Sequence, residues 1–129
     1  MPFSISTVDG VIRIVLSGTL AAEQLVRMAN ALVEVEAVCH VCPHRVTDLT
    51  GVTRFEVGFD EMSELARRRR EMSPANPIRS AIVASTPVQV GFARMFQTLN
   101  DHPRITLRIF SDLDAALAWI AEAPADSGL

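Results

Sequence analysis

Lysine and tyrosine are missing from this chain of 129 residues, tryptophan occurs once, and there are only two cysteines. With lysine gone, all 12 strong cations are arginines, and 15 acidic residues outnumber them to give a net charge of −3. That balance leaves no footprint for nucleic acid, which is bound through a basic excess or stripe. Two cysteines cannot build a disulfide framework, and without an export signal the expected setting is the cytoplasm, with thiols reduced. Met1 to Val8 alternates like a strand and lacks the charged-then-apolar pattern of a signal peptide. No run of roughly 18 apolar residues occurs, so no membrane-spanning helix is expected. Neither a P-loop, a dinucleotide fingerprint nor a Gly-x-Ser-x-Gly nucleophile elbow is present.

What the chain does have is apolar content, 49% with a mean hydropathy of +0.25, enough for one domain with a real core. Phe3 to Val8 and Val11 to Ser17 read as strands. Asp9-Gly10 between them signals a two-residue hairpin, because a type I′ turn needs positive φ at both central positions. Thr19 is placed to cap a helix over Leu20 to Val38, with Leu25, Met28, Ala29 and Leu32 at helical spacing. Pro43 precedes a third strand near Arg45 to Leu49, and a second helix runs over Phe59 to Met72. Ile78 to Ala84 is nearly all apolar, the mark of a strand covered on both faces. Thr86 then caps a third helix with Pro87 at its first position and Val88, Phe92, Met95, Phe96 and Leu99 as its apolar stripe. Ile105 to Ile109 alternates as a fifth strand, and Ser111 opens a last helix carrying Leu113, Ala116, Leu117 and Ile120.

The order is ββαβαβαβα, an α/β domain over residues 1–122 with a loose tail over 123–129. Strands alternating with helices pair in parallel through right-handed crossovers. Several strands alternate apolar with polar residues, so the four helices are expected mainly on one face of a five-stranded, mostly parallel sheet that begins with the hairpin.

Two stretches carry a resemblance. Asp48-Leu49-Thr50-Gly51-Val52-Thr53 is similar to the Asp-Leu-Ser-Gly-Val-Thr run that ends a strand in SpoIIAA-like domains of the STAS superfamily, which are related to SEC14-like domains. Gly91 to Phe96, Ile105 to Phe110 and Asp112 to Ile120 resemble that family's last helix, strand and helix. The resemblance implies a non-catalytic regulatory module with a protein partner, or a second copy of itself, and no cofactor. Kinase-regulated relatives continue into an Asp-Ser-Ser-Gly-like run bearing the phosphorylated serine. Here Glu56-Val57-Gly58 stands in that place without a hydroxyl, and Thr50 and Thr53 lie outside the acceptor position.

The candidate binding loops follow the third and fourth strands: Asp48, Thr50, Thr53 and Glu56 in the first, Ser85 and Thr86 in the second, with Arg94 about one helical turn into the following helix. Backbone N–H groups at that helix start are able to hold an anion. Asp48 is a lone acid with no partner in sequence to tune it as a base. Phe92, Met95, Phe96 and Leu99 read as core, with lining of a lipophilic pocket as the alternative; that second reading makes the chain a small lipophilic-ligand or anion-binding protein. Cys39, Cys42 and His44 have partial zinc spacing, but four ligands are needed to close a structural site, so no metal is expected and a helix-end loop is the preferred reading. Arg67-Arg68-Arg69-Arg70 wraps round a helix rather than forming one face, with Glu61, Glu64 and Glu71 as nearby countercharges.

Overall fold

The connections determine where the helices lie. In the computed structural model, which describes residues 3–38, 41–71, 74, 76–99 and 102–123, the elements are β1 (Phe3–Val8), β2 (Val11–Ala21), α1 (Ala22–Ala37), β3 (Arg45–Glu56), α2 (Phe59–Arg70), β4 (Ile78–Val83), α3 (Pro87–Leu99), β5 (Ile105–Phe110) and α4 (Leu113–Ala121). The sheet order is β1-β2-β3-β4-β5; β1 and β2 are antiparallel and every later pair is parallel. Each crossover steps to the next strand in the same direction, so right-handed connections carry α1, α2 and α3 to one face.

The core divides accordingly. Ile12, Ile14 and Leu16 of β2 and Ile82 of β4 pack with Leu25 and Leu32 of α1, Met62 of α2 and Ala93 of α3. Val46, Ala81 and Val83, which alternate with those inward positions, pack on the opposite face with Ala116 and Ile120 of α4. β4 is therefore buried on both sides, as its apolar run predicts. Arg79 helps to dock α4: its guanidinium lies 4.9 Å from the Trp119 ring and donates to the Trp119 carbonyl at 2.7 Å.

Local rules account for most element ends. Asp9 and Gly10 have φ of 52° and 76°, the geometry expected of the hairpin. Thr86 and Gln89 form a reciprocal capping box at α3: the Gln89 N–H donates to Thr86 Oγ1 at 3.2 Å and the Thr86 N–H donates to Gln89 Oε1 at 3.1 Å. The cap of α4 is Asp112, one residue beyond the expected Ser111, with its carboxylate accepting from the Ala115 N–H at 2.8 Å. Residues 124–129, the bulk of the expected loose tail, lie outside the described residues.

Two expectations are corrected together. Thr19 does not cap α1, and Asp48 to Glu56 is not a loop: β2 continues to Ala21 and β3 to Glu56, paired in parallel as a two-stranded ribbon. The register slips by one residue between Val15 and Ser17 and again between Gly18 and Thr19, each slip adding one residue to β3. Bulges of this kind bend and twist a strand. They also break the apolar alternation that reveals a strand in sequence, which is why the ribbon reads as a polar loop. Gly18, at the second slip, has φ of 70°. A Cβ there would meet no atom within 4 Å, so its substitution tests backbone conformation alone. Gly18→Ala is expected to cost about 1–2 kcal/mol, the penalty of a left-handed L-residue, read from the urea midpoint with an unchanged slope.

Candidate functional site

β4 ends at Val83, opposite Asp48, whereas β3 runs on to Glu56. Beyond Asp48 the β4-facing edge of β3 has lost its neighbouring strand, and its carbonyls need donors. Gln89, 3% exposed, supplies them: its Nε2 donates to the carbonyls of Thr50 at 3.2 Å and Val52 at 3.0 Å. Its Oε1 meanwhile accepts from the N–H groups of Ser85 and Thr86. One amide thus ties the ribbon to the N-terminus of α3. Stacking of Phe55 on Phe92, with ring centroids 4.5 Å apart, adds an apolar tie beside it.

The same arrangement decides what the α3 N-terminus offers. The N–H groups of Ser85, Thr86 and Gln89 are already engaged internally, and Pro87 has none. The anion cradle expected around Ser85 and Thr86 is therefore largely filled by the protein itself. What remains is a surface. Thr50, Gly51, Thr53 and Arg54 of the ribbon are exposed, as are Ser85, Thr86 and Val88 beside them. Val88 stands 68% exposed.

Asp48 acts locally. Its Oδ1 accepts from the Thr50 N–H at 2.9 Å and the Thr50 hydroxyl at 2.6 Å, closing a turn at the first bulge. Glu56 pairs on the surface with Arg54 at 3.1 Å. Arg94 is exposed on α3. His44 immediately precedes β3, so Asp48 lies four residues along the strand, about 13 Å away at the usual rise. His102 bridges Ile105 at the start of β5, again at the end of the sheet remote from Asp48. The described histidines and Asp48 do not converge.

The Cys42 segment is held by an asparagine that sequence reasoning passed over. Buried Asn76 accepts from the Cys42 N–H at 2.7 Å and donates to the Cys42 carbonyl at 2.9 Å. His44 Nδ1 accepts from the Arg79 N–H at 2.8 Å. Cys39 lies outside the described residues, and no group of three metal-ligating side chains occurs among those described. In the arginine run, Arg67 bonds to both Glu64 and Glu71 on the exposed face of α2. Its hydrogen bond holds the Glu64 carboxyl below the usual range.

A second feature lies inside the domain. Arg45, at the start of β3, is 1% exposed and pairs with Glu36 near the end of α1. Burial presses the guanidinium below its ordinary range, with Glu36 and then Cys42 pulling the other way. Arg45 borders a cavity of ≈ 60 Å³ between the sheet and the helices, whose other polar lining side chains are Thr47 and Ser80. Phe92 and Phe96 of the α3 stripe line this cavity; Met95 and Leu99 pack around the core instead. Outside it, a pocket of ≈ 130 Å³ and a groove of ≈ 290 Å³ lie between α1 and α2, and Leu65 borders all three spaces.

Gln89 and Glu36 generate separate expectations. Gln89→Ala leaves the buried Val52 carbonyl and the part-buried Thr50 carbonyl and Ser85 and Thr86 N–H groups without this partner and is expected to destabilise by about 2–3 kcal/mol, measured by urea unfolding. Glu36→Gln strands a buried cation and is expected to cost about 3–5 kcal/mol, while the paired change Arg45→Met with Glu36→Leu recovers most of that loss.

No family model matches the chain, and no curated protein is similar to it at a significant level. Solved structures do match. An anti-sigma factor antagonist from Mycobacterium paratuberculosis is 18% identical with a TM-score of 0.63, over 93% of each chain. An uncharacterized protein with a SpoIIAA-like fold from Shewanella loihica PV-4 is 17% identical with a TM-score of 0.61, over 92% of this chain and 91% of that one. A variant of RsbS from Moorella thermoacetica is 14% identical with a TM-score of 0.57, over 94% and 96%. The chain therefore shares the SpoIIAA-like fold of these structures.

Proposed function

We propose that this domain is a non-catalytic regulatory module that works by binding a protein partner through the ribbon end of its sheet. The observation that carries this reading is the Gln89 clasp. It fixes an exposed rim of Thr50, Gly51, Thr53, Arg54, Thr86 and Val88, while engaging the N–H groups of Ser85 and Thr86 at the start of α3. A rim of mixed polar and apolar groups, with several of its backbone donors already engaged, suits recognition by shape. A structural neighbour named as an anti-sigma factor antagonist supports a protein as the kind of partner. Glu56-Val57-Gly58 carries no hydroxyl, so binding at this rim runs without a phosphoserine at that position. The reading includes a cytoplasmic setting and leaves room for a second copy of the chain as the partner.

The test compares affinity capture by the wild type, by Thr53→Arg with Val88→Asp, and by Glu34→Arg on exposed α1 as a control. A partner retained by the wild type and the control is expected to be lost from the double variant. Binding between purified proteins should weaken at least tenfold, with the melting temperature unchanged. A partner that binds all three equally sinks the assignment of this rim.

A further inference from the structure

The internal cavity goes beyond the interaction reading and stands independently of it. We propose that it binds a monocarboxylate with an apolar tail of a few carbons, the carboxylate being held by Arg45 in exchange for Glu36. The head group is assigned from unmet hydrogen bonds. Arg45 has a side chain 2% exposed, and its Nε and Nη1 are buried with no protein partner. Only Nη2 is engaged, by Glu36 Oε2. A guanidinium is a donor-only, planar fork whose best complement is a carboxylate. Thr47 is two residues along the same strand and Ser80 is the direct strand partner of Arg45, so two hydroxyls border the same cavity.

The tail is assigned from the rest of the lining. Apart from these three side chains the walls are aliphatic, thioether and aromatic, including Leu16, Leu49, Phe92 and Phe96. The volume of ≈ 60 Å³ is less than half that of an apolar cavity of about 150 Å³ able to hold benzene, so the tail is short.

Charge decides between addition and exchange. Arg45 and Glu36 already neutralise each other, and a further carboxylate beside the pair would leave a net buried negative charge, which is costly. Glu36 is placed to yield. It pairs inward with Arg45, yet it also lines the outer pocket between α1 and α2, and its Oε1 is buried without a partner. Moving toward that outer pocket releases Arg45 to the ligand and takes the Glu36 carboxylate toward water. Leu65, shared by the cavity and both outer spaces, stands at the entry.

The experiment titrates butyrate into the full chain and follows the Arg45 Nε–H resonance and the methyl resonances of Leu16 and Ile82, with 1-butanol and chloride as controls. Butyrate is expected to shift all of these saturably; butanol and chloride are expected to leave the Arg45 resonance unmoved. Glu36→Gln, which removes the resident competitor, is expected to bind butyrate at least tenfold more tightly and to regain melting temperature in its presence. Arg45→Met with Glu36→Leu, chosen to keep the fold, is expected to lose at least tenfold in affinity. Leu65→Trp is expected to block or slow entry. No saturable shift with butyrate in the wild type overturns the proposal. Equal binding of butanol overturns the head-group assignment, and weaker binding by a folded Glu36→Gln overturns the exchange.

Discussion

The β3 strand is 12 residues long and its neighbour β4 only 6, and much of the domain follows from that mismatch. A strand that outruns its partner leaves backbone carbonyls on an edge the fold has already buried. Such groups must find donors or destabilise the whole. Here the donor is a side chain, not another strand. Gln89 supplies both hydrogen bonds and, through its oxygen, closes the cap of the helix that carries it. The position of α3, the end of β4 and the projection of the ribbon are therefore one linked decision. The exposed rim inherits its rigidity from the same amide.

The opposite end of the sheet is organised by charge. Arg45 sits where an aliphatic residue would be unremarkable, facing the apolar layer beneath the helices. Its pairing with Glu36 joins the end of α1 to the start of β3, across a connection that includes the Cys42 segment held by Asn76. A buried ion pair of this kind is weak evidence for stability, because desolvation offsets much of the attraction. Its consequence is a polar corner in an otherwise apolar cavity. The two ends thus differ in kind. Among the described residues no buried side-chain polar atom near Gln89 is left without a partner, whereas at the Arg45 end two donors and one acceptor are left over.

Elements governed by local rules were legible in the sequence. The Asp9-Gly10 hairpin, the Thr86-Pro87 start of α3 and the doubly buried β4 all rest on short-range sterics or on continuous apolar runs. The ribbon was not, because its bulges shift the alternation and its outer residues face water. Gln89 left a readable trace, since Thr86 and a glutamine three residues later make a capping-box pattern. Its second role, toward Thr50 and Val52, depends on a strand 37 or more residues away and leaves none. The Arg45–Glu36 pair was equally hidden. The residues are nine apart, on different elements, and nothing local marks either as buried.

The cleft between α1 and α2 has a consequence for motion. Among the described side chains each helix buries two fully, Met62 and Ala66 in α2, but α2 packs most closely on α3 and not on a strand, and its outer face is charged. Helices held by few buried contacts open sub-globally at a lower free energy than the domain as a whole. Amide hydrogens along α2 should therefore exchange through partial opening, while those of β2 and β4 exchange only on global unfolding. Access to the deepest space in the molecule is then governed by the least firmly held of its helices, so interior and surface communicate on the timescale of that helix's departures and not on that of folding.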